Sequence, residues 1–142
     1  MDWVKKGKII NGKYGWAQLP IVDTSHPDVN MIYYSSRDDQ NRSKPRRTCF
    51  DKNWVQISDW FVDIPLGKPG SFDSHGVMPT EIITLKDGTK YLYYIGWSKR
   101  LDVPYWNSIG LAISKDDGVT WKKYSEGPIF ASNSRESGFI GT

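Results

Sequence analysis

The chain holds one cysteine, Cys49, and two histidines in 142 residues. A single thiol closes no intrachain disulfide, and two imidazoles beside one thiol make no zinc cluster of the usual kind. No metal site and no cofactor are therefore expected. Long apolar runs are lacking, and none could cross a bilayer as a helix. The opening Met-Asp-Trp-Val-Lys-Lys-Gly-Lys has no apolar stretch of the kind a secretory leader carries. Sustained 3.6-residue periodicity is missing as well, because the apolar runs are short and broken by Gly, Pro, Asn and Asp. Charge of one sign is scarce, with a net value of only +3. The basic cluster Arg42, Lys44, Arg46, Arg47 reads as a solvated loop rather than a nucleic-acid surface. These absences point to a cytoplasmic protein with no membrane span and no nucleic-acid partner.

Aromatic residues, by contrast, are abundant at 14%, including seven Trp and eight Tyr. Aromatic and β-branched residues between turn signals read as an all-β chain. Internal repetition sharpens this. Gly15-Trp16-Ala17-Gln18-Leu19-Pro20-Ile21-Val22 precedes Met31-Ile32-Tyr33-Tyr34, and Gly76-Val77-Met78-Pro79-Thr80-Glu81-Ile82-Ile83 precedes Tyr91-Leu92-Tyr93-Tyr94. Pro20 and Pro79 stand 59 residues apart, Tyr34 and Tyr94 60 apart. A third start appears at Gly138-Phe139-Ile140-Gly141-Thr142.

In the second repeat the pattern predicts four strands, at about 77–84, 90–97, 107–114 and 119–124. Lys86-Asp87-Gly88-Thr89 provides the first hairpin turn. Four antiparallel strands repeating near every 60 residues describe a β-propeller blade. The reading is blade 1 over about 14–60, blade 2 over about 72–130, and the start of blade 3 over about 135–142. Closed propellers carry about 4–8 blades, so a part of a larger propeller is expected. The alternative is a small protein that self-associates into a ring. The third strand of blade 1 should fall near 43–50, where Pro45 suits only an edge strand or a bulge.

The strongest short motif is Ser114-Lys115-Asp116-Asp117-Gly118-Val119-Thr120-Trp121, a full S-x-D-x-G-x-T-W Asp box. Asp116 can fold its carboxylate onto nearby backbone N–H groups, and Gly118 can take the positive φ of a tight turn. Trp121 then anchors the next strand. The expected role of Ser114, Asp116, Gly118, Thr120 and Trp121 is structural. The box resembles those of sialidases and other carbohydrate-active β-propellers, where it staples a blade.

Gly70-Ser71-Phe72-Asp73-Ser74-His75-Gly76-Val77-Met78-Pro79, Asp87-Gly88-Thr89-Lys90-Tyr91-Leu92-Tyr93-Tyr94-Ile95-Gly96-Trp97 and Ile109-Gly110-Leu111-Ala112-Ile113-Ser114 follow in register. Together they resemble the five-bladed β-propeller superfamily of glycoside hydrolases that includes arabinanases, xylosidases, invertases and levansucrases. The likeness covers roughly residues 3–142 and the first half of such a propeller. It implies hydrolysis or processing of a glycan by carboxylate acid–base chemistry. The pattern departs from the family where an Asp usually precedes Pro on the first strand. Leu19-Pro20 stands there, after Gln18.

In an up-and-down blade, the start of the first strand and the loop between the second and third lie at one end. That end would gather Trp16, Gln18, Arg37 and Asp38 from blade 1, and Asp73, His75, Trp97 and Arg100 from blade 2. Arg135 and Glu136 would join from the third start. Aromatic rings stack on sugar faces, while Arg, Gln and His bond hydroxyls. Asp73 and Glu136 form the expected catalytic pair, with Asp38 a third candidate. Such a pair must stand about 5–5.5 Å apart for retention or about 6.5–9.5 Å for inversion. Each residue has an ordinary alternative: Asp73 as a loop cap, Trp16 and Trp97 as packing between blades, His75 as a satisfied loop histidine, Arg37 and Asp38 as an exposed pair. Two rival functions stand beside the glycosidase: a sialidase-like six-bladed propeller, and a propeller that binds glycans or proteins without turnover.

Overall fold

The computed structural model describes residues 2–5, 7–10 and 16–135. Among these the regular elements are all strands, and no helix is long and apolar enough to cross a membrane. In chain order they are β1 Gln18–Asp23, β2 Asn30–Arg37, β3 Ser43–Phe50, β4 Gln56–Phe61, β5 Gly76–Thr84, β6 Lys90–Ser98, β7 Trp106–Ser114 and β8 Lys122–Lys123. The expected strands of the second repeat coincide with β5, β6 and β7 to within one residue at each end, while β8 is shorter than expected. Beyond Arg135, the expected third repeat lies outside the described residues.

Strands β1 to β4 form one antiparallel meander and β5 to β8 another. A single parallel bridge, Ser43 to Gly76, links the two ladders into one open sheet. Central strands β2, β3 and β6 are buried along most of their length, whereas β1 and β4 are largely exposed. Inner residues of both meanders, among them Tyr33, Cys49, Val77, Leu92, Tyr94 and Trp121, meet in one apolar core.

Pro45 departs from the sequence expectation, because it lies inside the central strand β3, opposite Ser35 of β2. Its carbonyl accepts from the Val62 N–H at 3.0 Å, one residue beyond the end of β4. A strand residue's N and O point to the same side. The missing proline N–H therefore faces the side where β4 has ended, and no bond to β2 is lost.

The Asp box closes the turn from β7 to β8 with its own side chains. Asp116 Oδ1 accepts from the Thr120 N–H at 2.9 Å and from Ser114 Oγ at 2.8 Å, and its Oδ2 accepts from Thr120 Oγ1 at 2.5 Å. Ser114 Oγ accepts from the Gly118 N–H at 2.8 Å. Gly118 has φ +78°, and a Cβ there would stand 2.5 Å from the Tyr33 hydroxyl of the other meander. Both the turn and the close approach require glycine. Trp121 meets Tyr33 edge to face, with ring centroids 6.2 Å apart. The box thus shapes a hairpin and seats it on β2.

A buried ion pair joins the same end of the two meanders. Lys90 of β6 and Asp23 of β1 are 1% and 3% exposed, and their charged atoms lie 2.5 Å apart. The ammonium also donates to Ser25 Oγ at 2.6 Å and reaches Asp117 Oδ1 at 3.0 Å. Burial pushes the Asp23 carboxyl up, but the bonds from Lys90 and Ser25 outweigh it and hold the group below the usual carboxylate range.

Removing the cation while leaving its partner strands a buried charge, which costs about 3–5 kcal/mol. Lys90→Met should lower the urea-unfolding free energy by about that much, and Lys90→Met with Asp23→Leu by clearly less. Bonds from Thr120 and Ser114 hold the Asp116 carboxyl at about 2. A folded-state value below the unfolded one gives stability that is present at neutral pH and lost as pH falls from about 4 toward 2. Thermal melts of Asp116→Asn should show a shallower loss over that window than the parent chain.

Candidate functional site

The starts of β1, β5 and β7 and the ends of β2 and β6 come together at one end of the sheet, away from the Asp box. There a cleft of about 330 Å³ opens between the meanders, lined by Gln18, Leu19, Arg37, Met78, Trp97, Tyr105 and Asn107. Trp97 is its fixed wall. Its indole crosses over Gly76, where a Cβ would fall 1.7 Å from Nε1, and donates to Ser43 Oγ at 2.9 Å. The Arg37 guanidinium lies 5.0 Å from the Trp97 ring centroid, a cation–π distance. One of its N–H groups, on Nη1, donates to the Asn41 carbonyl at 2.8 Å. Asn107 stands opposite Trp97 in the β6–β7 ladder, and its Oδ1 is buried without a hydrogen-bond partner.

The rim of the cleft carries backbone strain. Leu19 has φ +51°, a left-handed conformation that a branched side chain rarely adopts. The β1–β2 register also shifts between Gln18 and Ile21. A bulge of this kind re-aims neighbouring side chains and recurs beside functional sites.

Of the expected site residues, Gln18, Arg37 and Trp97 line this cleft. His75 packs against Trp97 with ring centroids 5.7 Å apart, and its own backbone ties β3 to β6 through Ser43 N–H and Trp97 O. Trp16 is 57% exposed and is not one of the lining residues. Arg100 lies over Trp106 at 5.9 Å, in a separate hollow with Asp102, Val103 and Ser132. Trp106 and Asn107 are neighbours in β7 and face opposite sides of the sheet, which separates the two hollows. Glu136 lies outside the described residues.

The two described carboxylates expected to be catalytic do not reach the cleft. Asp73 is 1% exposed, between the β4–β5 connection and the inner face of the second meander. Its Oδ2 pairs with Lys123 Nζ at 2.5 Å and accepts from the Tyr94 hydroxyl at 3.1 Å. Burial and the adjacent carboxylate push the Tyr94 hydroxyl far up, so that it stays protonated and donates. Asp38 instead closes the β2–β3 turn. It accepts from the Gln40 and Arg42 N–H groups at 3.0 and 2.8 Å and takes the Arg42 guanidinium on Oδ2. Burial raises its carboxyl, yet these bonds prevail and keep it below the usual range. Both side chains are engaged through both oxygens by the protein itself.

Sequence reasoning missed Leu19, Met78, Tyr105 and Asn107. The rule that gathers loops between second and third strands covered the position of Tyr105, and the β6–β7 pairing opposite Trp97 could have found Asn107. Nothing local points to Ser43 as the indole's acceptor. The basic cluster is largely occupied internally. Arg46 pairs with Asp59 at 2.7 Å, Arg42 with Asp38, and Arg47 donates to the Asp117 carbonyl at 3.1 Å.

No family model matches this chain. It is similar to two curated proteins from Mycobacterium tuberculosis, strains CDC 1551 and ATCC 25618, each described only as an uncharacterized protein. Each is 34% identical over 148 aligned positions that cover 96% of this chain and 48% of the relative. The chain thus spans about half the length of the curated relatives it matches.

The surroundings of Asp73 generate a prediction about stability. Asp73→Asn leaves Lys123 without its anion and should cost about 2 kcal/mol in denaturant unfolding. An unchanged unfolding midpoint would show that the pair contributes nothing to the fold.

Proposed function

We propose that this chain is the glycan-holding part of a carbohydrate-active β-propeller, its two meanders serving as consecutive blades. The cleft between β1, β2, β6 and β7 carries the reading. It combines a rigid indole wall and a Tyr105 ring with an arginine and two side-chain amides. Such sets recognise sugars, because the rings cover the apolar C–H face while the amides and guanidinium bond hydroxyls at its rim. The two four-stranded antiparallel meanders and the Asp box support the propeller. The relatives' greater length leaves room for further blades.

Within this reading, binding is better supported than hydrolysis by the described residues. No carboxylate lines the cleft among the described residues, whereas glycoside hydrolysis calls for two facing one another across the bond. A glycosidase or sialidase-like activity of the whole protein would draw its acid and base from other residues, Glu136 among the candidates. The proposal includes no nucleic-acid partner, in keeping with the internally paired arginines, and a cytoplasmic address, in keeping with a lone reduced cysteine.

A glycan array with the full-length protein, followed by product analysis on each hit, tests the proposal. Binding to a defined set of sugars is the expected result, and turnover would extend it to an enzyme. An array with no hits would overturn it. Tyr105 is 49% exposed, so Tyr105→Ala should weaken binding of any hit by about tenfold while leaving the melting temperature nearly unchanged.

A further inference from the structure

We infer that the cleft selects an acidic sugar, a glycan unit bearing a carboxylate, and that Arg37 is the residue that reads the acid group. The inference rests on the glycan reading above and names the class of sugar. Arg37 forms no ion pair with any carboxylate among the described residues. Its sequence neighbour Asp38, the obvious counter-ion, is committed to Arg42 through Nε and Nη2 at 2.8 Å each. Among the described residues Arg37 donates from Nη1 to the Asn41 carbonyl. The edge formed by Nε–H and Nη2 has no acceptor among the described residues, and that edge is the fork that matches a carboxylate with two parallel bonds.

Three features make this cation a recognition element. First, the guanidinium is held in place, with its Cζ 5.0 Å from the Trp97 ring centroid and one corner tied to the β2–β3 turn, so less side-chain freedom remains to be lost on binding. Second, the other lining residues, Gln18, Leu19, Met78, Trp97, Tyr105 and Asn107, are all uncharged. None of these described lining residues neutralises Arg37, and low-dielectric walls strengthen its field. Third, the amides of Gln18 and Asn107 offer both donors and acceptors for hydroxyls around the acid group. A hydroxyl of a neutral sugar accepts a single bond from the guanidinium edge, whereas a carboxylate takes both N–H groups of the fork.

Isothermal titration with the full-length protein decides the matter. The probes are oligosaccharides of galacturonate, glucuronate and N-acetylneuraminate, their neutral counterparts of equal length, and glucose 6-phosphate. The expected result is that one acidic series binds at least about tenfold tighter than its neutral counterpart. The preference should shrink as salt is raised. Arg37→Gln should remove the preference, bringing acidic and neutral sugars to equal and weaker binding. Arg37→Lys, which keeps the charge and loses the fork, should remove most of it. Equal binding of acidic and neutral sugars would overturn the acid preference and leave the glycan reading standing. Binding of no sugar at all would overturn both. Tighter binding of the phosphate ester than of every carboxylate would overturn the assignment to a carboxylated sugar. An unaltered preference in a folded Arg37→Gln protein would overturn the role of Arg37.

Discussion

The Lys90 ammonium is 1% exposed, and an unpaired charge so far from water would not be tolerated. It is satisfied by Asp23 at the end of β1, Ser25 just beyond it, and Asp117 of the Asp box, which converge on it from the first meander and from the β7–β8 turn. The two ladders share a single backbone bridge, so the hydrogen-bonded sheet alone leaves their relative placement loosely specified. The ion pair supplies what the backbone lacks. Its net contribution to stability is modest compared with an apolar substitute, but only one arrangement of the meanders satisfies it.

With that end closed, the rest follows mechanically. The Asp box turn is seated on Tyr33 through Gly118 and Trp121, and the core residues of both meanders are brought into register. At the opposite end the same registry brings Trp97 to Ser43 and Arg37 over the indole. The cleft is therefore a product of the docking between meanders, with walls from both. Its strained Leu19 rim belongs to a strand held at its far end by Asp23. Asp73 and Lys123 brace the inner face of the second meander from the middle, which gives a buried carboxylate a structural duty in place of a chemical one.

Much of this was readable beforehand, for identifiable reasons. Strands β5 to β7 emerge from alternation and turn residues, and Gly88 and Gly118 both adopt the positive φ their turns demand. The bonds among Ser114, Asp116, Gly118 and Thr120 that shape the Asp box turn reach no more than four residues along the chain, so these residue types alone foretell its shape. Gln18, Arg37 and Trp97 were placed in the cleft by topology, since strand order dictates which loops share an end. Asp38 and Asp73 were placed at that end by the same rule, yet a rule about ends says nothing of side-chain direction. One turns into its own loop and the other into the core.

By itself the sequence determined what short-range chemistry determines: an all-β chain, the boundaries of β5, β6 and β7, the hairpin built by the Asp box, and the end of the sheet at which polar and aromatic residues gather. Tertiary structure alone decided the pairings between distant residues. Lys90 meets Asp23 across 67 residues of chain, Trp97 meets Ser43 across 54, and Lys123 meets Asp73 across 50. Backbone periodicity and turn bonds act over a few residues, and composition displays them directly. Which charges are neutralised and which carboxylates are already committed depend on how the two meanders dock. That is why the sequence could point to an end of the molecule, while only the folded chain could single out Arg37 there.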